Sequence, residues 1–341
     1  MTGAATSMRV VTHVTQFMRK PFSSAYSMET VYDDVRQHLP NDIAVTVHEC
    51  RFASRGVVRR LQDAWTARRH QADVNHVTGD VHYLTYFLSA RRAVITMHDC
   101  IALDRTRGLR HWLLWLLWYW LPERRCRLII TVSGAAKERL LKYLRCPADK
   151  IRVIHNPVGA GYRPSPKAFN DSRPRILIVG TVQNKNLERM AEALAGVACE
   201  VVIIGRMSPS QVVAFKNAGL PVTNHIDISR ESVVACYEQC DLVAFASIYE
   251  GFGLPIVEAQ AVGRPVVTSN SHSMPEVAGG AACLVDPFDV ASIRAGVLRV
   301  IQDREFRDGL VSRGFENAKR FAVEDVANRY ADLYREVAAS S

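Results

Sequence analysis

The 341-residue sequence has no apolar run long enough to cross a bilayer core, for which about 20 residues are needed. Its most hydrophobic stretch, H-W-L-L-W-L-L-W-Y-W-L-P at 111–122, has twelve. The N-terminal M-T-G-A-A-T-S-M-R-V lacks a charged region followed by an apolar one, so no secretory signal is expected. Eight cysteines are scattered with no C-x2-C pair, and Cys236 and Cys240 are four apart on an expected helix. That spacing argues against a zinc site or a disulfide framework, and reduced thiols in a cytoplasmic protein are the simpler expectation. No D-x-D stands near a strand end, so no metal ion is expected. Repeats and recognisable DNA- or RNA-reading motifs are absent as well, which argues against nucleic acid as a partner.

Acidic residues are in deficit, but only in one half. Residues 1–165 carry 25 Lys and Arg against 13 Asp and Glu, a balance of +12, whereas the remainder carries 18 against 21, or −3. The basic surface therefore belongs to the N-terminal half, where it suits an anionic lipid, an anionic acceptor or nucleic acid. Apolar residues make up 48% and charged residues 23%, the composition of a globular protein. The length suits two domains, since single cores rarely grow past about 250 to 300 residues.

Strand-like apolar runs at 8–14, 43–47, 74–77, 93–97, 128–132 and 151–154 are each trailed by helix-compatible segments, among them 27–39 and a helix capped by Ser133 and running to Leu144. Alternating strands and helices imply a parallel sheet. A breaker-rich passage, 157–174, reads as an interdomain linker. Beyond it the alternation restarts, with strands at 175–179, 200–204, 242–246 and 265–269 and helices at 186–194, 209–218, 229–238 and 255–261. The final run, 324–337, has Val326, Tyr330, Leu333, Tyr334 and Val337 at helical spacing. The expected fold class is α/β, with two doubly wound Rossmann-like domains in sequence.

The most informative stretch is S-I-Y-E-G-F-G-L-P-I-V-E-A-Q-A-V-G-R-P-V-V-T-S-N, residues 247–270. Gly251 and Gly253 let main chain approach a ligand, and Pro255 fits a first helical turn, where its missing N–H is not needed. Amides that open such a helix, at Phe252, Gly253 and Leu254, suit a diphosphate or a sugar hydroxyl. Glu258, in the first turn of that helix or just beyond it, suits the two hydroxyls of a ribose. Glu250, on the turn, then faces the sugar end. The E-x7-E string, continued by Ala259, Ala261, Gly263, Pro265 and Val266, resembles the donor-site signature of retaining family 4 glycosyltransferases (glycosyl transferases group 1) of the GT-B fold. That resemblance implies a nucleotide-sugar donor, with Glu250 near the hexose and Glu258 at the ribose. It also implies a C-terminal helix that crosses back to the first domain. The domain limits expected are 1–165 for the acceptor side, 166–321 for the nucleotide-sugar donor and 322–341 for the returning helix.

Further residues fit this reading. Gly180 and Thr181 end a strand in I-L-I-V-G-T-V-Q-N-K-N, and Lys185 stands just before a helix, where an ammonium can neutralise a diphosphate and support it as a leaving group. Family members often carry an arginine where this chain has Thr181 or Asn184, and Arg206 is the candidate to compensate. In T-M-H-D-C, His98 and Asp99 end a buried strand, and the resemblance puts His98 beside the transferred sugar. His76 and Gly79 are candidates to shape the acceptor side. The glycine-rich loop that family members carry after the first strand is replaced by R-K-P-F-S-S-A-Y-S-M-E, where Ser23, Ser24 and Ser27 offer hydroxyls at most.

The tryptophans of 111–122 are framed by Arg105, Arg107, Arg110, Arg124, Arg125 and Arg127, a pattern that fits an interfacial helix on an anionic membrane surface and equally a buried helix of the first domain. The function expected is transfer of a hexose, with retention and without a metal or other cofactor, to a lipid-linked glycan in bacterial polysaccharide assembly at the inner membrane face. A GT-B nucleotide-sugar epimerase is the alternative enzyme, and a basic nucleic-acid-binding protein the alternative of another class.

Overall fold

The computed structural model describes residues 11–20 and 27–340. It contains two six-stranded sheets, both wholly parallel, with helices on their faces. The first is built from β1 Thr12–Met18, β2 Ile43–Glu49, β3 Val74–Val77, β4 Ala93–Thr96, β5 Leu128–Thr131 and β6 Ile151–Val153, in the order β2-β1-β3-β4-β5-β6. The second is built from β7 Arg175–Val179, β8 Glu200–Ile204, β9 Val222–His225, β10 Leu242–Phe245, β11 Val266–Ser269 and β12 Cys283–Val285, in the order β12-β11-β10-β7-β8-β9. Every residue of β3, β4, β5, β10 and β11 is buried, because a parallel strand with helices on both faces has no solvent side.

The first strand lies four residues later than the sequence suggests. It carries Thr12, Thr15 and Gln16, which read as polar, yet all three are buried. Gln16 is accommodated because its amide donates to the Tyr334 hydroxyl at 3.1 Å and accepts from Arg36 at 2.7 Å. Two short edge strands, β9 and β12, carry exposed residues and are not among the strands expected, β9 because it reads as polar and β12 because its apolar run is only three residues long. Ser133 does cap the helix Gly134–Leu144, accepting from the Ala136 amide at 3.1 Å.

The chain divides into two units. One comprises the described residues up to Val132, Lys137–Ile154 and the chain from Glu324 onward; the other comprises Ser133–Ala136 and His155–Val323. The helix Val323–Ala339 supplies core to the first unit: Val326, Tyr330, Leu333, Tyr334 and Val337 are buried with Val14, Val74, Val94 and Ile130. Residues 155–165, expected to close the first domain, are held by the second unit instead. The Val158 amide donates to the Phe321 carbonyl at 2.8 Å and the Ser165 amide to that of Val262 at 3.1 Å.

Candidate functional site

In the second sheet, consecutive strands run outward on both sides of the β7/β10 pair, so the loops that follow these two strands flank the point where the winding direction reverses. Ligands of open parallel sheets bind at such crevices, outside the carboxyl ends of the strands. Gly180 follows β7 with φ +88°, and its amide donates to Ile204 at 2.9 Å. The Lys185 side chain lies directly over it: a Cβ on Gly180 would stand 2.8 Å from Lys185 Cε. Thr181 is fixed from both sides, its hydroxyl donating to the Arg206 carbonyl at 2.8 Å and its carbonyl accepting from Gln211 at 2.8 Å.

Lys185 reaches across to the β10 loop, where its Nζ is 2.8 Å from Glu250 Oε1 and 4.5 Å from the centroid of Phe245. About 15% of each side chain of this pair is exposed, so the ions are largely withdrawn from water. Asn184 strengthens the tie, with its Nδ2 2.9 Å from the Tyr249 carbonyl and 3.2 Å from Glu250 Oε1, while its own carbonyl accepts from Ile248 at 2.8 Å. The turn 250–253 is braced further by Ser273, whose Oγ lies 2.9 Å from the carbonyls of Glu250 and Phe252, and by Ser133, which donates to the Gly251 carbonyl at 2.7 Å.

Gly253 has φ +102°, a conformation that a side chain would strain, and it packs on Ile256 and Phe245. The ring of Phe252 is turned inward against His155 and Phe321, so only its main chain is free to meet a ligand. Leu254 opens the helix Leu254–Val262, whose N-terminus has no side-chain cap. Glu258 is the fifth residue of that helix, and its Oε2 accepts from the Tyr237 hydroxyl at 2.6 Å. Burial raises the Glu258 pKa, opposed by hydrogen bonds from Tyr237 and Tyr162 and by the charges of Arg230 and Lys185. Tyr237 is itself fully buried, which with the neighbouring Glu258 charge pushes its phenol well up and keeps it a donor.

The side chain of Arg206, unlike its carbonyl, is not part of this cluster. It is exposed and pairs with Asp227 at 3.0 Å. Tyr237 and Tyr162 are not marked by the sequence, because what brings them to Glu258 is the packing of separate segments, and Asn184 is marked only as a position where family members often carry an arginine.

In the first unit, His98 follows β4 and is half-buried, with its Nε2 buried and unpartnered. Burial, then the neighbouring His82 and Arg19, pushes it down to about 4, so it is a neutral imidazole. Asp99 accepts from the Ile101 amide at 3.0 Å, opening the short helix Ile101–Asp104. His76 is a correction: it is fully buried, 2.8 Å from both the Tyr334 hydroxyl and Thr96 Oγ1, and burial pushes it down to about 3. It is a core residue rather than part of an acceptor surface. Ser23 and Ser24 lie outside the described residues, and Ser27 begins the helix Ser27–Gln37.

The segment around 111–122 is one continuous helical run, Gly108–Leu114, Trp115–Trp120 and Leu121–Arg124, with π-helical hydrogen bonding in its middle part. One side of it is buried and the other exposed. Trp115 and Trp118 pack on the core and donate to the carbonyls of Tyr143 and Asp80, whereas Leu109, Trp112, Leu113 and Leu117 are exposed. Among the described residues no helix is long and apolar enough to cross a membrane.

Two family models match the chain: Glycosyltransferase Family 4 over residues 22–160 and Glycosyl transferases group 1 over residues 173–303. The chain belongs to the group 1, family 4 glycosyltransferases. It is 27% identical to the O-antigen chain mannosyltransferase B of Escherichia coli, over 80% of this chain and 77% of that one. It is 28% identical to the MMP alpha-(1->4)-mannosyltransferase of Mycolicibacterium hassiacum, over 68% and 61% of the two chains. Among solved structures it matches Anabaena HepE, crystallised with UDP and glucose, at a TM-score of 0.75 over 94% of this chain and 99% of that one, with 17% identity. The fold of this family 4 member is therefore GT-B, two Rossmann-like α/β domains.

Proposed function

We propose that this glycosyltransferase moves a hexose from a nucleotide-diphosphate sugar to a glycan acceptor, with retention of anomeric configuration and without a metal ion. The observation that carries the proposal is the cluster at the β7/β10 switch point: a lysine over a positive-φ glycine, a glutamate salt-bridged to it, and a second glutamate eight residues on. Lys185 and the amides opening the helix Leu254–Val262 would hold the diphosphate and stabilise it as it departs. Glu258 would take the ribose hydroxyls, and Glu250 would orient the hexose. Two mannosyltransferases among the relatives favour a mannosyl donor, and the nucleotide-bound neighbour favours a nucleoside diphosphate as product.

The acceptor we infer is a lipid-linked glycan of polysaccharide assembly, met by a protein held peripherally on the inner membrane face. Support comes from the first unit alone. The exposed Leu109, Trp112, Leu113 and Leu117 adjoin a cavity of about 520 Å³ lined by Trp112, Trp115, Trp120, Arg124, Lys142 and Arg145. Tryptophan with arginine and lysine is the pairing that a lipid interface favours.

The test is mass spectrometry of products after incubation with mannosyl and glucosyl nucleotide donors and a membrane lipid extract, with EDTA present. A glycosylated lipid whose new linkage keeps the donor's anomeric configuration is expected. Donor epimerised without any acceptor would make the protein an epimerase, and dependence on added Mg²⁺ would end the metal-free reading.

A further inference from the structure

Glu258 is held by two tyrosines from two different segments. Tyr237, on the helix Arg230–Gln239, places its hydroxyl 2.6 Å from Oε2, and Tyr162, from the stretch 155–165 that opens the long segment of the second unit, hydrogen-bonds the same carboxylate. The two rings meet edge to face at 5.4 Å, so each fixes the other's orientation. Tyr162 is in turn seated by its own turn, its amide donating to Gly159 at 3.0 Å, and Gly161 beside it lies against Val234 of the Tyr237 helix.

An ionised carboxylate has about four lone-pair sites. Two phenols occupy two of them, and two remain, the number that adjacent ribose hydroxyls require. We propose that Tyr237 and Tyr162 are positioning residues that keep Glu258 ionised and aimed, so that this site selects a ribonucleotide over its 2′-deoxy counterpart. The proposal rests on Glu258 being the ribose ligand. Phenols are suited to the task because they donate without adding a charge that would compete with the diphosphate lysine.

Burial works against the arrangement, raising the Glu258 pKa, and the groups that face it are Tyr237 and Arg230 from one helix, Tyr162 from the stretch 155–165 and Lys185 from the β7 loop. Remove a phenol and the carboxyl takes up a proton at a higher pH than before. A carboxylic acid presents a donor where the ribose needs an acceptor, so the affinity for a ribonucleotide then falls as the solution is made more acidic.

The experiment is calorimetric titration of the full chain with UDP, GDP, dUDP and dGDP at pH 8 and pH 6. The wild type is expected to bind the ribo form of its preferred base about tenfold more tightly than the deoxy form. Tyr237→Phe, which keeps the ring, should lose most of that preference, with the loss larger at pH 6 and the deoxy form, which meets Glu258 through its 3′-hydroxyl alone, weakened less than the ribo form. Tyr162→Phe, at a half-buried position, should show the same pattern in smaller degree and serves if Tyr237→Phe does not fold. A Tyr237→Phe protein that keeps its ribose preference at both pH values, or loses ribo and deoxy binding equally, overturns the proposal. Glu258→Gln separates the levels. If it abolishes the preference while both tyrosine variants keep it, the tyrosine role fails and the ribose assignment stands; if the wild type has no preference, both fail.

Discussion

Under the proposed function Lys185 meets two demands, a carboxylate already in contact and a diphosphate still to come. An ammonium has three donors, so it can keep Glu250 at 2.8 Å and still give a hydrogen bond to a phosphate oxygen. Lys185→Ala should therefore weaken a nucleoside diphosphate by about tenfold while changing nucleoside affinity little, since only the former brings the charge. Calorimetry with UDP and uridine, or GDP and guanosine, checks this, and equal losses would move the phosphate site elsewhere. Glu250→Ala should lower turnover more than nucleotide affinity. Gly180 belongs to the same argument. Gly180→Ala would force a side chain into φ +88° and against Lys185, costing about 1 kcal/mol in backbone strain and displacing the ammonium. Its nucleoside diphosphate affinity should fall in parallel with that of Lys185→Ala.

Among the elements, the helical run 108–124 is where a surface property is most testable. Arg125 is committed within the protein, donating to the carbonyls of Tyr86 and Leu88, and Arg127 is half-buried. The basic groups that share a cavity with the tryptophans are Arg124, Lys142 and Arg145. Replacing those three by Gln should reduce sedimentation with anionic liposomes, the effect shrinking as salt screens the charges, and leave nucleotide affinity intact. Binding that ignores lipid charge would make the segment a core helix only.

The elements also show what a sequence can and cannot disclose. Parallel strands were legible as apolar runs wherever both faces are covered, as in β7 and β10. The first strand slipped by four residues because Gln16 is buried through a partner 318 positions away. Glu250 and Glu258 were legible because glycine, proline and carboxylate fall within one loop and one helix. Tyr237 was not: its hydroxyl meets Glu258 from another helix, and no spacing along the chain encodes that.

At the scale of the whole molecule, buried histidines set the response to acid. His76 is held neutral in the folded state down to about pH 3, whereas an unfolded histidine takes up a proton below about pH 6.5. The unfolded chain then binds more protons, so stability is complete above that value and falls as pH drops toward 3, by about 1.4 kcal/mol per pH unit. Denaturant titrations at pH 7.5 and pH 5 should differ by about 2 kcal/mol from this residue alone, and a curve flat across that window would contradict its burial.

The position of the last helix gives synthesis an order. Gln16 and His76 both meet the hydroxyl of Tyr334, so the first unit is short of a core layer until the residues around Tyr334 have left the ribosome. At about 5 to 20 residues per second, roughly 10 to 40 s separate the emergence of Val153, the end of the first sheet, from that of Tyr334. Through that interval the half made first waits with polar groups unmatched, whereas the half made second is complete at Val323, before Tyr334 has emerged.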